Sequence, residues 1–197
     1  GSDEVIHMTG LAFLNEQDEA LMADPPFVLY EFTTQLMGAR AIKVPLTNYT
    51  HDLEEMARRA SERTKLAFIA NPNNPTGTIV RQRESERFLD SLPPGCIVVF
   101  DEAYADYVED PEFPDALAWV REGRNVIVLR TFSKIYSLAG LRVGYGVAPA
   151  HLAPYVQMVR EPFNVSSVAQ AAALASLDDE EQVARSRTCN QEGKQFL

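Results

Sequence analysis

Three short strings carry the side chains from which a reaction could be built. Asn71-Pro72-Asn73-Asn74-Pro75-Thr76-Gly77-Thr78 follows the apolar run Leu66 to Ala70. Its Asn-Pro steps force extended backbone and a turn, with Gly77 free to take positive φ, so the Asn74 amide is expected at a sheet edge. Asp101-Glu102-Ala103-Tyr104 follows the run Ile97 to Phe100. A carboxylate at the end of a buried strand is costly unless paired, and a cationic heterocycle nitrogen would suit it. The third string is Arg130-Thr131-Phe132-Ser133-Lys134, with Arg142 a short way beyond. The hydroxyls of Thr131 and Ser133 with the Arg142 guanidinium make a phosphate cradle, because Arg binds phosphate oxygens two at a time. Lys134, following an apolar strand, is placed to be desolvated, the condition under which an amine becomes a nucleophile. Taken singly, these strings are a turn, a helix cap and a solvated surface charge. Their joint occurrence points to a site.

A sheet must deliver these strings, since in open α/β folds ligands bind beyond the carboxyl ends of strands. Short apolar runs at Ala20 to Ala23, Ala41 to Val44, Leu66 to Ala70, Ile97 to Phe100, Val126 to Leu129 and Val143 to Val147 alternate with amphipathic segments such as Leu53 to Arg63 and Glu84 to Leu92. That order predicts an α/β three-layer sandwich, with a mostly parallel sheet and helices on both faces. The connection from Leu129 to Val143 is short and broken by glycine, which predicts an antiparallel strand at Val143. The Ala-rich stretch from Ser166 to Leu197 predicts one or two helices leading out of the sheet domain. The chain stops within that pattern and opens directly on an amphipathic run, so both ends read as cut. Residues 1–180 are assigned to a large domain and 181–197 to the start of a helix leading to a small domain.

Bulk properties exclude several classes. The 197 residues are 46% apolar and 23% charged, an ordinary globular composition. A net charge of −10 without a basic cluster opposes a nucleic-acid partner. Cys96 lies beside an apolar run and Cys189 in a polar stretch, which suits reduced thiols in a cytoplasmic protein. No apolar stretch approaches the roughly 20 residues of a membrane span. His7, His51 and His151 lack neighbours at metal-ligand spacing and read as surface residues, so no metal is expected. The run Asp178-Asp179-Glu180-Glu181 reads as the first turn of a helix, and Leu117 and Trp119 as core contacts.

The three strings, together with the opening Gly1-Ser2-Asp3-Glu4, the string Asp24-Pro25-Pro26-Phe27-Val28-Leu29-Tyr30 and Pro162-Phe163-Asn164-Val165, resemble pyridoxal-phosphate aminotransferases of fold type I. The resemblance covers nearly the whole chain and is nearest to the histidinol-phosphate aminotransferase group. It implies that Lys134 holds pyridoxal 5'-phosphate covalently and moves a proton between the substrate α-carbon and the cofactor C4'. It implies that Asp101 pairs with the pyridinium nitrogen and keeps it protonated. Asn74 and Tyr104 correspond to the two donors to the ring's phenolate oxygen, and Phe27 to the aromatic stacked on its face. Ser2 and Asp3 correspond to helix N-terminal amides that hold the phosphate, with Thr131, Ser133 and Arg142 completing the cradle.

The activity so implied is transamination between an amino donor and a keto acid acceptor by a homodimer, with histidinol phosphate and 2-oxoglutarate as the pair. Another amino-acid substrate or a phosphothreonine-type decarboxylation uses the same Lys134, Asp101 and Arg142. A cofactor-sensing regulator domain and an inert fragment are the non-enzymatic alternatives. The resemblance also implies an N-terminal segment lending an aromatic residue across the dimer, and a small domain whose arginine binds the substrate carboxylate. Without them, turnover by this polypeptide alone is not expected, and its apolar terminal helices predict self-association.

Overall fold

The computed structural model describes residues 1–196. The elements run α1 (Ser2–Phe13), β1 (Glu19–Asp24), α2 (Val28–Leu36), β2 (Arg40–Pro45), α3 (Leu53–Arg59), β3 (Thr64–Ala70), α4 (Gln82–Ser91) and β4 (Ile97–Asp101). They continue with α5 (Ala116–Arg121), β5 (Val126–Thr131), β6 (Gly144–Val147), α6 (Ala153–Met158), α7 (Ser167–Ser176) and α8 (Glu180–Phe196). Single 3-10 turns lie at Ala105–Tyr107 and Ala139–Leu141.

Six strands form one sheet in the order β2-β1-β3-β4-β5-β6. All pairings are parallel except β5 with β6, where Thr131 faces Gly144. Between β5 and β6 the chain makes only the short 3-10 turn, too little to return to the far end of the sheet, so β6 runs antiparallel as the sequence predicts.

Because side chains alternate along a strand, each central strand feeds both faces. Met22, Phe68, Val99 and Ile127 pack under Val5, Ile6 and Met8 of α1 and Tyr30 of α2. Leu21, Ile69, Phe100 and Val128 pack against Leu53 and Met56 of α3, Phe88 of α4 and Trp119 of α5. This is the expected three-layer sandwich. The buried Cys96 and Trp119 and the half-buried Leu117 join the second layer, as read from the sequence.

Several boundaries differ from expectation. Helix α3 ends at Arg59 rather than Arg63, because the Ser61 amide donates to Thr64 Oγ1 and the Thr64 amide to the Ser61 carbonyl, which turns the chain into β3. Helix α4 begins two residues early at Gln82, with the Glu84 carboxylate accepting from the Arg81 amide. The acidic run does open α8, where Asp179 Oδ1 accepts from the Gln182 amide at 2.9 Å. Leu197, the last residue of the expected helical stretch, lies outside the described residues.

His51 corrects the reading of the histidines as surface residues. It is only 7% exposed, and its Nε2 lies 3.1 Å from the Ala70 carbonyl at the end of β3. His7 is half-buried and His151 exposed. Among the described residues no group of three or more His, Cys, Asp or Glu is placed to hold a metal ion. Among them, too, no helix is long and apolar enough to cross a membrane.

Candidate active site

In this sheet the strand order reverses between β1 and β3: the chain leaves β1 outward to β2, then returns to start β3 on the other side. Such a switch point opens a crevice at the carboxyl ends of the strands. A cavity of about 160 Å³ lies there, bounded by the N-terminus of α1, the start of α2, and the loops after β3, β4 and β5. All ten residues singled out in the sequence line it. Phe27 and Asn74 enter from the loops after β1 and β3, Asp101 from the end of β4 and Tyr104 from the segment after it, and Thr131, Ser133, Lys134 and Arg142 from β5 and beyond. Ser2 and Asp3 close it from α1.

At one end, register sets the carboxylate. Asp101 is paired with Ala70 on β3 and Leu129 on β5, in the middle of the sheet. It is buried, yet both oxygens have donors: Tyr30 Oη donates to Oδ2 at 2.8 Å and the Ala103 amide to Oδ1 at 3.2 Å. Burial pushes this carboxyl above its ordinary range, and the two hydrogen bonds oppose that rise. The neighbouring Glu102 is spoken for, since it takes Nε and Nη2 of Arg130 at 2.7 and 2.6 Å. Of the two adjacent acids, only Asp101 faces the cavity.

At the other end, close backbone approach makes the cradle. A Cβ on Gly144 would stand 2.7 Å from the Ser2 amide nitrogen and 2.8 Å from the Arg130 carbonyl, so only glycine lets β6 meet the start of α1. The first amides of a helix have no intrahelical acceptor and carry its positive dipole end, so α1 points an anion-binding terminus into the cavity. Arg142 reaches the same place, with Nη2 3.0 Å from Asp3 Oδ2 and Nη1 2.8 Å from the Ala139 carbonyl. Thr131 is used internally: its Oγ1 accepts from the Ser133 amide at 3.1 Å and shapes the turn that presents the Ser133 hydroxyl.

Lys134 stands on the rim between the two ends, its Nζ over the Tyr104 ring at 5.2 Å from the centroid. The sequence placed this lysine in desolvated surroundings, whereas in the structure it is exposed. Strand β5 ends at Thr131, and three further residues carry Lys134 clear of the sheet. A wider cavity of about 950 Å³ adjoins on that side and shares Asn74, Tyr104, Ser133 and Lys134 with the first. Arg81, Asp110 and Lys194 also line it.

Tyr30 was given no role by sequence reasoning. The available signal was its place three residues after Phe27 on a helical segment, which puts both rings on one face.

The profile of the family described as aminotransferase class I and II matches residues 1–196. The chain is 55% identical over its whole length to a histidinol-phosphate aminotransferase of Moorella thermoacetica, of which it covers 51%. It is 48% identical over its whole length to the enzyme of the same name from Caldicellulosiruptor saccharolyticus, covering 55% of that protein. The crystal structure of histidinol-phosphate aminotransferase from Sinorhizobium meliloti, in complex with pyridoxal-5'-phosphate, superposes with a TM-score of 0.89 at 26% identity, over 95% of this chain and 51% of that one. The chain thus spans about half the length of the curated relatives it matches. With the fold, the crevice and the sequence all in agreement, this chain belongs to the class I and II aminotransferases.

Proposed function

We propose that this chain is the cofactor-binding domain of a pyridoxal-phosphate-dependent transaminase of histidine biosynthesis, which exchanges an amino group between histidinol phosphate and 2-oxoglutarate. The observation that carries the proposal is the placement of an amine, a buried carboxylate and an anion cradle around one cavity. The substrate pair is supported by the names of the relatives, at 55% and 48% identity.

The residues present fit pyridoxal 5'-phosphate. Its phosphate suits the α1 terminus, Ser133 and Arg142. Its ring suits the face of Phe27. Its ring nitrogen suits Asp101, a buried acid with donors on both oxygens and a side open to the cavity. Asn74 and Tyr104 supply donors for the ring's oxygen substituent. When bound, the cofactor supplies an electron sink for the bond broken at the substrate α-carbon. Lys134 Nζ would be the point of covalent attachment and, once freed by the substrate amine, would take the proton from the substrate α-carbon and deliver it to the cofactor C4'. Its exposure and its seat over Tyr104 suit a group that must swing between two positions. Asp101, as a carboxylate, would keep the ring nitrogen protonated, and Arg142 with the helix terminus would hold the phosphate still while Lys134 moves the α-proton.

The full-length protein acts as a cytoplasmic homodimer in this reading. Support for the dimer comes from Val28, Phe32 and Leu36, all exposed on α2 beside the cavity-lining Phe27. Light scattering checks it, and a monodisperse monomer counts against it.

The test of function is direct. The chain is incubated with pyridoxal phosphate and reduced with borohydride, and the adduct is located by peptide mass spectrometry, with Lys134→Ala as control. A stoichiometric adduct at Lys134 is expected. Scattered labelling of other lysines, or none, overturns the assignment.

A further inference from the structure

Asp101 does not reach its position unaided. Tyr30, from α2, is 2% exposed, and its hydroxyl donates to Asp101 Oδ2 at 2.8 Å. The phenol ring is locked from two sides. It lies parallel to Phe68 with centroids 4.8 Å apart and an interplanar angle of 3°, and meets Phe27 edge-on at 5.5 Å and 79°. The aim of the hydroxyl is therefore set by aromatic packing before any ligand arrives, which is the meaning of preorganisation at a charged site.

An ionised carboxylate offers about four acceptor positions. Tyr30 occupies one on Oδ2 and the Ala103 amide one on Oδ1. The remaining positions are left for a cavity ligand, and Tyr30 itself also lines that cavity. A donor aimed at a buried carboxylate favours its charged form.

Resting on the function proposed above, we infer that Tyr30 is a positioning residue, which orients Asp101 and keeps it ionised so that the proton shared with the cofactor's ring nitrogen stays on the nitrogen. Two proton placements compete: nitrogen protonated against a carboxylate, or neutral nitrogen against a carboxylic acid. The Tyr30 hydroxyl stabilises the first. Burial opposes it, and the Tyr30 hydrogen bond is the largest influence working against burial at Asp101. Helix α2 and its N-cap residue Phe27 then supply both the aromatic face for the ring and the hydroxyl that governs the ring's nitrogen, three residues apart.

Tyr30→Phe keeps both ring contacts and removes only the hydroxyl. The chain is loaded with pyridoxal phosphate labelled with nitrogen-15 in the ring, and the ring-nitrogen resonance is followed with pH. The expected result is a move of that resonance from the protonated toward the neutral range, with the dissociation constant raised about tenfold, as for loss of one hydrogen bond to a charge. A second measurement separates positioning from packing. In an Asp101→Asn background, Tyr30→Phe has no further effect on the nitrogen signal or on affinity, whereas a packing role would add its cost in either background. If the parent chain binds at Lys134 but Tyr30→Phe leaves both readouts unchanged, or if the two substitutions are additive, this inference fails alone. If the parent chain does not bind at Lys134, the proposed function fails with it.

Discussion

The two ends of the cavity are built differently. The carboxylate end rests on strand termini in the middle of the sheet: Asp101 is buried, register-locked to Ala70 and Leu129, and gripped by a buried phenol. The end proposed to take the phosphate rests on a helix terminus and a loop. Its ion pair, Arg142 with Asp3, leaves the two side chains 55% and 47% exposed. In the first, each interaction acts in low dielectric and geometry dominates. In the second, water and salt screen the charges, and affinity accumulates from several modest contacts. In the proposed function, the rigid end carries the chemistry and the adaptable one the anchoring.

The largest expected effect tests the rigid end. Asp101→Asn leaves cofactor bound but lowers transamination in the full-length protein by about 10²–10³-fold, the loss that follows removal of one preorganised electrostatic partner. Steady-state kinetics checks this, and undiminished turnover removes Asp101 from its role.

The next effect concerns what holds that end in place. His51 is buried against the Ala70 carbonyl, and burial lowers its imidazole to about 4 from an ordinary 6.5. The folded state thus needs it neutral, so stability present above pH 6.5 is lost as pH falls toward 4, by roughly 3 kcal/mol at the lower limit. His51→Gln keeps a donor for Ala70 and should flatten the fall. Urea unfolding at a series of pH values decides, and an unchanged acid slope would clear His51 of responsibility.

The smallest effect belongs to the adaptable end. Arg142→Lys keeps the charge but loses two-pronged binding, and should weaken pyridoxal phosphate binding about tenfold, with greater salt sensitivity. Calorimetric titration at two ionic strengths measures it. A loss of affinity of about 10²-fold or more, the size expected for a preorganised partner in low dielectric, would erase the contrast between the two ends.

Legibility in the sequence followed the range of the interactions. The central strands were readable because fully buried strands are nearly continuous apolar runs, as in Leu66 to Ala70 and Ile97 to Phe100. The direction of β6 was readable because a short link cannot cross a sheet. Arg59 as the end of α3 was not, because the Ser61–Thr64 turn competes locally with a pattern that would equally continue a helix.

For the site, the sequence by itself determined which polar residues must emerge at strand ends, because chain adjacency fixes Asp101 to β4 and Lys134 to the loop after β5. Only the tertiary structure decided their surroundings. It buried His51 against Ala70, carried Lys134 out to an exposed rim, and brought the Tyr30 hydroxyl to Asp101 across 71 residues. Burial and hydrogen-bond partnership are properties of what packs from elsewhere in the chain, and no local periodicity encodes them.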